Sequence, residues 1–229
     1  EMAAVKAAIA AMAEQKRSIT PSEATAAIDD LMSGASSHAQ TGAFLALLQQ
    51  QHLNPELLQA CAASMSAHAS PCNPQCQELI DVVGTGGDGL DTFNVSTAAG
   101  IVLAACGLKC AKHGNRSASG NVGSADFLEA LGCKIQLDGD MVATAIEECG
   151  FGFLFAQMFH PSMRHVAAPR KELGIRTIFN LLGPLTNPAK PQLQVIGVGR
   201  KELGPLYADL LRLANVRQGL VVHSAEGLD

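Results

Sequence analysis

The sequence predicts an α/β protein in which an N-terminal helical bundle precedes a larger domain with a mainly parallel sheet flanked by helices. Residues 1–70 contain repeated helix-start signals and no strand pattern. From residue 79 onward, short apolar segments rich in β-branched residues alternate with segments of helical periodicity. Pro71 and Pro74 interrupt the periodicity between the two regions. We therefore expect domains at 1–71 and 77–229.

The N-terminal region predicts four helices. Residues 3–16 are rich in alanine, with apolar side chains at helical spacing. Residues 20–23 (TPSE) form a capping box with proline at the first helical position, which starts a second helix. Ser36 or Ser37 caps the third, and Asn54 followed by proline starts the fourth. The predicted structure is a small helical bundle.

The alternating region predicts strands and helices in turn. The expected order is strand 79–83, helix 96–106, strand 109–112, helix 121–131, strand 133–137, helix 140–149, strand 152–155, helices across 160–182, strand 193–198, helix 201–214 and strand 219–223. In such sheets ligands bind beyond the carboxyl ends of the strands.

Three turns adapted to anions follow one another at those carboxyl ends. The first, 84–89 (GTGGDG), leaves strand 79–83 with glycines that allow several backbone N–H groups to face one anion. The second, 94–97 (NVST), places hydroxyls and N–H groups at a helix N-terminus. The third, 113–120 (HGNRSASG), follows Lys112 and adds a second cation, Arg116. Together they predict a binding site for a diphosphate-like ligand.

Composition excludes several classes of function. A net charge of −5 and 4% aromatic residues argue against a nucleic-acid surface. The most apolar stretch, 98–108, is about half the length that a membrane span needs. The seven cysteines lack metal-site spacing and a histidine pair, which argues against structural zinc. Cys61, Cys106, Cys133 and Cys149 lie in apolar contexts that suit buried thiols, and a reducing compartment is expected.

The three turns, with 159–188 (FHPSMRHVAAPRKELGIRTIFNLLGPLTNP), resemble the anthranilate phosphoribosyltransferase family, within the nucleoside-phosphorylase-like phosphoribosyltransferases. The resemblance covers roughly residues 20–229. It implies transfer of the phosphoribosyl group of phosphoribosyl pyrophosphate (PRPP) to the amine of anthranilate, in tryptophan biosynthesis, with Mg2+ as cofactor. It also implies a cytoplasmic homodimer that binds neither nucleic acid nor a membrane, in which the helices near 160–182 pack on the N-terminal bundle.

The resemblance also implies which residues bind the substrates. The expected PRPP ligands are Gly84, Gly87, Asp88, Thr92, Asn94, Val95, Ser96, Thr97, Lys112, His113, Gly114, Asn115, Arg116, Ser117, Ala118, Ser119, Gly120 and Ser124. Anthranilate is expected to contact Gly84, Asn115 and Arg170, and the metal ligands are expected to be Ser96 and Asp229. No general base is expected, because an aniline-type amine is neutral at pH 7 and catalysis can proceed by positioning and by charge stabilisation of the leaving group.

The sequence departs from the family in two respects. Met163 and Pro169 stand where relatives often have an aromatic and an aliphatic residue, which affects the expected shape of the acceptor tunnel. The family continues beyond Asp229 with a glutamate, the second carboxylate of its metal pair, and roughly a hundred further residues. The sequence therefore resembles a fragment, and we expect the 229-residue chain alone to be inactive or nearly so.

Several alternatives remain open. A pyrimidine nucleoside phosphorylase shares the architecture, but its third loop usually carries a Lys-x-Ser-Gly-Arg pattern where this chain has KHGNR. A nucleic-acid-binding paralogue keeps the fold without the acceptor residues, whereas Asn115 and Arg170 are present here. Residues 94–97 could serve as a plain helix cap, and Arg116 and Arg170 as surface cations. Three histidines near the expected site suit hydrogen bonding or packing better than base catalysis: His113, His160 and His165.

Overall fold

The structure is a computed structural model that describes residues 3–51, 54–86, 93–117 and 122–227. The chain divides into two units. The helical unit comprises Glu1–Ala69 and His160–Thr186, and the sheet unit comprises Ser70–Phe159 and Asn187–Asp229.

The secondary-structure elements of both units are numbered in chain order. The helices are α1 Ala4–Ala13, α2 Pro21–Ser33, α3 His38–Gln49, α4 Pro55–Ala67, α5 Val95–Ala105, α6 Ser124–Ala130, α7 Gly139–Cys149, α8 Ala156–Phe159, α9 Arg164–Leu173, α10 Phe179–Leu182 and α11 Leu203–Leu213, with 3-10 turns at Pro161–Met163 and Gly183–Leu185. The strands are β1 Ile80–Gly84, β2 Cys110–Gly114, β3 Phe151–Phe155, β4 Leu193–Gly197 and β5 Gln218–Val222.

The helix starts of the helical unit match those predicted from the sequence. Thr20 and Ser37 form capping boxes for α2 and α3, in which the cap hydroxyl accepts the backbone N–H of the residue three positions on. Asn54 caps α4 by accepting the Leu57 N–H at 2.8 Å. Local sequence signals are sufficient here because each cap satisfies amides that the helix itself leaves unpaired.

The core of the helical unit is formed by the apolar faces of these helices. α2 contacts α1, α4 and α9, and α3 contacts α1 and α9. Phe44, Leu45 and Leu48 of α3 are buried, as are Ile28 and Leu31 of α2. This spacing puts the buried residues of each helix on one face, which is the pattern that a packed bundle requires.

The sheet unit contains a five-stranded sheet in the order β3-β2-β1-β4-β5, with every adjacent pair parallel. Because the strands are parallel, their carboxyl ends lie along one edge of the sheet. β1 and β2 occupy adjacent central positions, so the turns that leave them emerge side by side.

Helices cover the two faces of the sheet. Leu154 of β3 is buried with Val142 and Ile146 of α7. Its neighbour Phe153 is instead buried with Leu128 of α6. Successive strand residues therefore face opposite layers, as a sheet covered on both sides requires.

The predicted strand at 133–137 is wrong, because these residues have no strand pairing. Ile135 is buried against Leu128 and Phe153, while Lys134 and Gln136 are exposed. Apolar and polar residues do alternate here, as the prediction assumed. A loop nevertheless buries Ile135 without hydrogen-bonding to a neighbouring strand. Within residues 3–51, 54–86, 93–117 and 122–227, no helix is both long and apolar enough to cross a membrane.

Candidate active site

The first turn begins where β1 ends at Gly84. Thr85 anchors it to the neighbouring strand: its N–H donates to the Gly197 carbonyl at 2.8 Å, and its hydroxyl accepts the Gly199 N–H at 3.1 Å. Gly86 has a φ of 65°, a conformation that favours glycine. The remaining ligands expected from this turn, Gly87, Asp88 and Thr92, lie outside the described residues.

The second turn is the N-terminus of α5. Asn94 is its N-cap residue, but the side chain does not cap the helix and instead donates to the Val122 carbonyl at 3.3 Å. Plain side-chain capping by Asn94 is therefore excluded as the role of this motif. Val95 is exposed and Ser96 half-buried, whereas Thr97 is buried with no hydrogen-bond partner for its hydroxyl in the described structure. A helix N-terminus without a side-chain cap carries partial positive charge that favours an anion.

Lys112 brings a cation to this helix N-terminus. The side chain extends from β2 and the residue is only 1% exposed. Its ammonium donates to the Ser96 hydroxyl at 3.0 Å and to the Val82 carbonyl of β1 at 2.7 Å. Two residues expected to bind the diphosphate, Lys112 and Ser96, are thus in direct contact.

Two buried polar residues near Lys112, Asp81 and Asn187, were not predicted from the sequence as part of the site. Asp81 of β1 is fully buried and accepts the His113 N–H at 3.3 Å and the Asn187 amide at 2.9 Å. Burial raises the pKa of Asp81 to about 6, and the charge of Lys112 opposes that rise. The sequence signal was a carboxylate inside the apolar stretch LIDVVG, since such a residue is buried only with partners.

The third turn begins later than predicted, because His113 and Gly114 still belong to β2. Both are in register with β3, His113 with Leu154 and Gly114 with Phe155. His113 is buried, whereas Asn115 is exposed. The expected ligands Ala118, Ser119 and Gly120 lie outside the described residues.

Arg116 is neither free nor simply solvated. Its guanidinium donates to Asp126 at 2.7 Å and to both oxygens of Glu129 at 2.6 and 2.9 Å. It also lies 5.5 Å from the centre of the Phe155 ring. The two carboxylates raise the pKa of Arg116. The hydrogen bond from the Gly123 N–H, followed by that from Arg116, lowers the pKa of Asp126, and the hydrogen bonds from Arg116 lower the pKa of Glu129.

The third turn closes against the start of α6. The Asp126 carboxylate accepts the N–H groups of Gly123 at 2.9 Å and Ser117 at 3.2 Å, and the Ala125 N–H donates to the Asn115 carbonyl at 3.2 Å. A Cβ on Gly123 would lie 2.2 Å from the Ser117 nitrogen. Ser124, an expected PRPP ligand, is the first residue of α6 and half-buried.

Arg170 belongs to the helical unit, whereas Asn115 belongs to the sheet unit. Arg170 lies in the last turn of α9, half-buried, with its guanidinium 5.3 Å from the Phe179 ring centre. Burial lowers the pKa of Arg170. Met163 is half-buried and Pro169 is buried within α9.

His160 is also in the helical unit, where burial lowers its pKa to about 4. The imidazole is therefore neutral at pH 7, as a hydrogen-bonding histidine would be.

The described residues contain one of the two expected metal ligands. Asp229 lies outside them, and within them no group of three or more His, Cys, Asp or Glu side chains is arranged to hold a metal ion. Ser96 Oγ accepts one hydrogen bond from Lys112, which leaves its second lone pair available. A Mg2+ ion that arrives with substrate phosphates needs few protein ligands, and Ser96 fits that requirement.

The sheet unit is thus of the α/β class, with the turns predicted to bind an anion at the carboxyl edge of its sheet, and the same chain also contains a helical unit. Residues 76–229 match the glycosyl transferase family a/b domain, and residues 6–69 match the helical bundle domain of the same family. The chain belongs to this glycosyl transferase family.

Individual relatives and solved structures show which members of this family the chain is most usefully compared with. The chain is 47% identical to an anthranilate phosphoribosyltransferase of Acetivibrio thermocellus, over 98% of this chain and 65% of the relative. It is 45% identical to that of Syntrophobacter fumaroxidans, over 94% and 64%. It therefore spans less than two thirds of the length of these relatives.

Two solved structures are similar to this chain over nearly its whole length. That of anthranilate phosphoribosyltransferase from Thermus thermophilus has a TM-score of 0.90 at 45% identity, over 98% of this chain and 67% of that one. The Saccharomyces cerevisiae enzyme in complex with PRPP and Mg has a TM-score of 0.92 at 30% identity, over 100% and 68%.

Proposed function

We propose that the protein containing this chain transfers the phosphoribosyl group of PRPP to the amine of anthranilate. The products are N-(5-phosphoribosyl)anthranilate and pyrophosphate, in tryptophan biosynthesis. The observation that supports this most strongly is the Lys112 ammonium, which is bonded to Ser96 in the first turn of α5 and to the Val82 carbonyl of β1. The names of the relatives support the choice of substrates.

The chemistry requires stabilisation of a leaving group. The anthranilate nitrogen forms a bond to C1 of the ribose while the bond from C1 to the pyrophosphate oxygen breaks, and the nitrogen, now cationic, then loses a proton to water. Negative charge accumulates on the departing pyrophosphate as positive charge develops on the sugar. A buried ammonium next to helix N–H groups stabilises that negative charge more strongly than an exposed cation, because water screens it less.

The proposed donor site uses the three turns. Ser96, Thr97 and the α5 N-terminus would bind phosphate oxygens together with Lys112. The remaining proposed PRPP ligands are Gly84, Gly87, Asp88, Thr92, Asn94, Val95, His113, Gly114, Asn115, Ser117, Ala118, Ser119, Gly120 and Ser124. Arg116 is proposed to act chiefly by holding the third turn, because its guanidinium is bonded to two carboxylates.

For the acceptor, Gly84, Asn115 and Arg170 are the proposed contacts. A guanidinium can bind a carboxylate through two parallel hydrogen bonds, and an exposed amide can orient an amine. The half-burial of Arg170 supports this role, since partial desolvation strengthens a charge pair with the anthranilate carboxylate.

Mg2+ is the proposed cofactor, with Ser96 and Asp229 as its protein ligands. When bound, the ion would neutralise charge on the pyrophosphate. The metal in the yeast complex supports this choice.

The cellular setting and assembly are also proposals. All seven cysteines lie in the described part of the chain and are free thiols, which supports a reducing compartment such as the cytoplasm. A homodimer without nucleic-acid or membrane partners is proposed on the family resemblance. The domain boundaries 1–71 and 77–229 remain a proposal, supported by the two matched family domains.

The test is consumption of anthranilate by the full-length protein that contains this chain, followed by fluorescence with PRPP, with and without Mg2+. We expect consumption that needs both. Asn94→Ala should raise the KM for PRPP and Arg170→Ala the KM for anthranilate, each by about tenfold. Cleavage of thymidine with phosphate, without anthranilate consumption, would instead indicate a nucleoside phosphorylase.

A further inference from the structure

β1 and β2 are neighbours in the sheet, but they share a single register pair among the described residues, Ile80 with Cys110. By contrast, β1 pairs with β4, and β2 with β3, over five residues each. The two strands from which the first and third turns emerge are therefore joined by a ladder at their amino ends alone.

Beyond that pair, side chains bond the backbone groups of the two strands. The Val82 carbonyl of β1 accepts the Lys112 ammonium at 2.7 Å. The His113 N–H of β2 donates to the Asp81 carboxylate at 3.3 Å. In both cases a side chain replaces the backbone partner that the neighbouring strand would otherwise supply. Buried backbone groups need hydrogen-bond partners of this kind.

Asn187 completes this arrangement from the segment before β4. Its amide nitrogen donates to Asp81 at 2.9 Å and to the Ala111 carbonyl of β2 at 2.8 Å, and its amide oxygen accepts the Ala189 N–H at 2.9 Å. It therefore bridges a side chain of β1 and the backbone of β2. Both Asp81 and Asn187 are buried, so these bonds are shielded from water.

We propose that Asp81 and Asn187 are positioning residues that hold the carboxyl ends of β1 and β2 apart and fix the Lys112 ammonium against the first turn of α5. This inference rests on the proposed function, because the anion site that it organises is the proposed pyrophosphate site. Neither residue needs to touch the substrate.

The chemistry of the three side chains explains why positioning is needed. Lysine has a flexible four-carbon stem, so its ammonium has no fixed place unless its surroundings define one. Asp81 supplies the opposite charge that a buried cation needs, and Asn187 fixes the orientation of that carboxylate. α5 also lies close to the stem, since a Cβ on Gly100 would be 3.8 Å from Lys112 Cδ.

The experiment compares Asn187→Ala with Gln192→Ala in the full-length protein. Gln192 accepts the Leu79 N–H at 2.9 Å, so its variant removes a bond next to the amino end of β1, away from Lys112. Binding of inorganic pyrophosphate with Mg2+ is measured by calorimetry, below the melting temperature of each variant. Steady-state KM values are measured for both substrates.

We expect Asn187→Ala to weaken pyrophosphate binding and raise the PRPP KM by about tenfold, with the anthranilate KM within about twofold of wild type. Gln192→Ala should leave all three values near wild type. Unchanged pyrophosphate binding in Asn187→Ala, or an equal loss in Gln192→Ala, would overturn the proposal.

A second variant keeps the test decisive if Asn187→Ala does not fold. Asp81→Asn retains an acceptor for the His113 N–H but removes the negative charge near Lys112, so it should lose pyrophosphate affinity. Unchanged pyrophosphate affinity in folded Asp81→Asn would also overturn the proposal. Pyrophosphate binding by wild type without anthranilate consumption would refute the proposed function and leave this test intact.

Discussion

Lys112 and Arg116 are four positions apart and both are cations at glycine-rich turns, yet the fold uses them differently. Lys112 is 1% exposed and donates to a hydroxyl and a carbonyl, both neutral acceptors. The Arg116 side chain is 39% exposed and bonded to two carboxylates. The difference shows that cations at neighbouring turns can meet different surroundings: two carboxylates take hydrogen bonds from the Arg116 guanidinium, whereas the Lys112 ammonium is bonded to a hydroxyl and a carbonyl with the Asp81 charge nearby.

The largest effect should come from exchanging each cation for methionine. Lys112→Met removes charge at the α5 N-terminus, so kcat/KM for PRPP should fall by about 100-fold, the range observed for loss of one transition-state-stabilising group. Arg116→Met should reduce it by about threefold, through loosening of the third turn. The measurement is initial-rate kinetics at fixed anthranilate. Equal losses in the two variants would contradict the distinction between them.

A smaller effect is expected from the glycine that closes the turn held by Arg116. A Cβ on Gly123 would lie 2.2 Å from the Ser117 nitrogen, so Gly123→Ala must displace the turn. We expect the PRPP KM to rise by about tenfold. Gly204→Ala is the matched control, because a Cβ on this α11 residue has no heavy atom within 4 Å. An unchanged KM in Gly123→Ala would show that the conformation of this turn does not matter for the donor.

The smallest effect is on stability as a function of pH, and its sign should differ between the two sites. The folded pKa of Asp81 is raised from 3.8 to about 6, so its stabilising contribution is present below pH 3.8 and lost as the pH rises through 6. The pKa of Glu129 is lowered from 4.5, so its contribution is present above pH 4.5 and lost as the pH falls through the folded pKa.

The opposite pH dependences of stability can be measured with one variant at each site. Between pH 7 and 4, wild type should gain melting temperature relative to Asp81→Asn, by a few degrees. Below pH 4.5 it should lose melting temperature relative to Glu129→Gln, by less, since that ion pair is exposed. Scanning calorimetry across this range is the measurement. Differences of the same sign would mean that Asp81 is not destabilised by burial.

Much of the fold could be predicted because the signals are local. The caps Thr20, Ser37 and Asn54 fix helix starts by bonding amides within three residues, and the alternation of strand and helix patterns predicts the parallel sheet. The strand prediction at 133–137 was wrong because strand formation is not decided locally. Whether an alternating segment forms a strand depends on a partner from elsewhere in the chain, and this segment has none.

The features of the candidate site also separate into those that local sequence predicts and those that depend on tertiary contacts. Glycines, hydroxyls and cations at consecutive turns indicate an anion site, because their chemistry does not depend on distant neighbours. The bonds of Asp81 to Asn187, 106 positions apart, and of Arg116 to Glu129 depend on which elements become neighbours. Neither could be inferred from spacing along the chain.

By itself, the sequence determined the helix starts, the α/β alternation, and the positions of three turns that are predicted to bind an anion. These properties depend on backbone conformation and side-chain type within a few residues. The tertiary structure decided which cation is buried at a helix N-terminus and which is neutralised by carboxylates. That choice depends on burial and on the charges that folding brings near each side chain, and both are properties of the packed molecule.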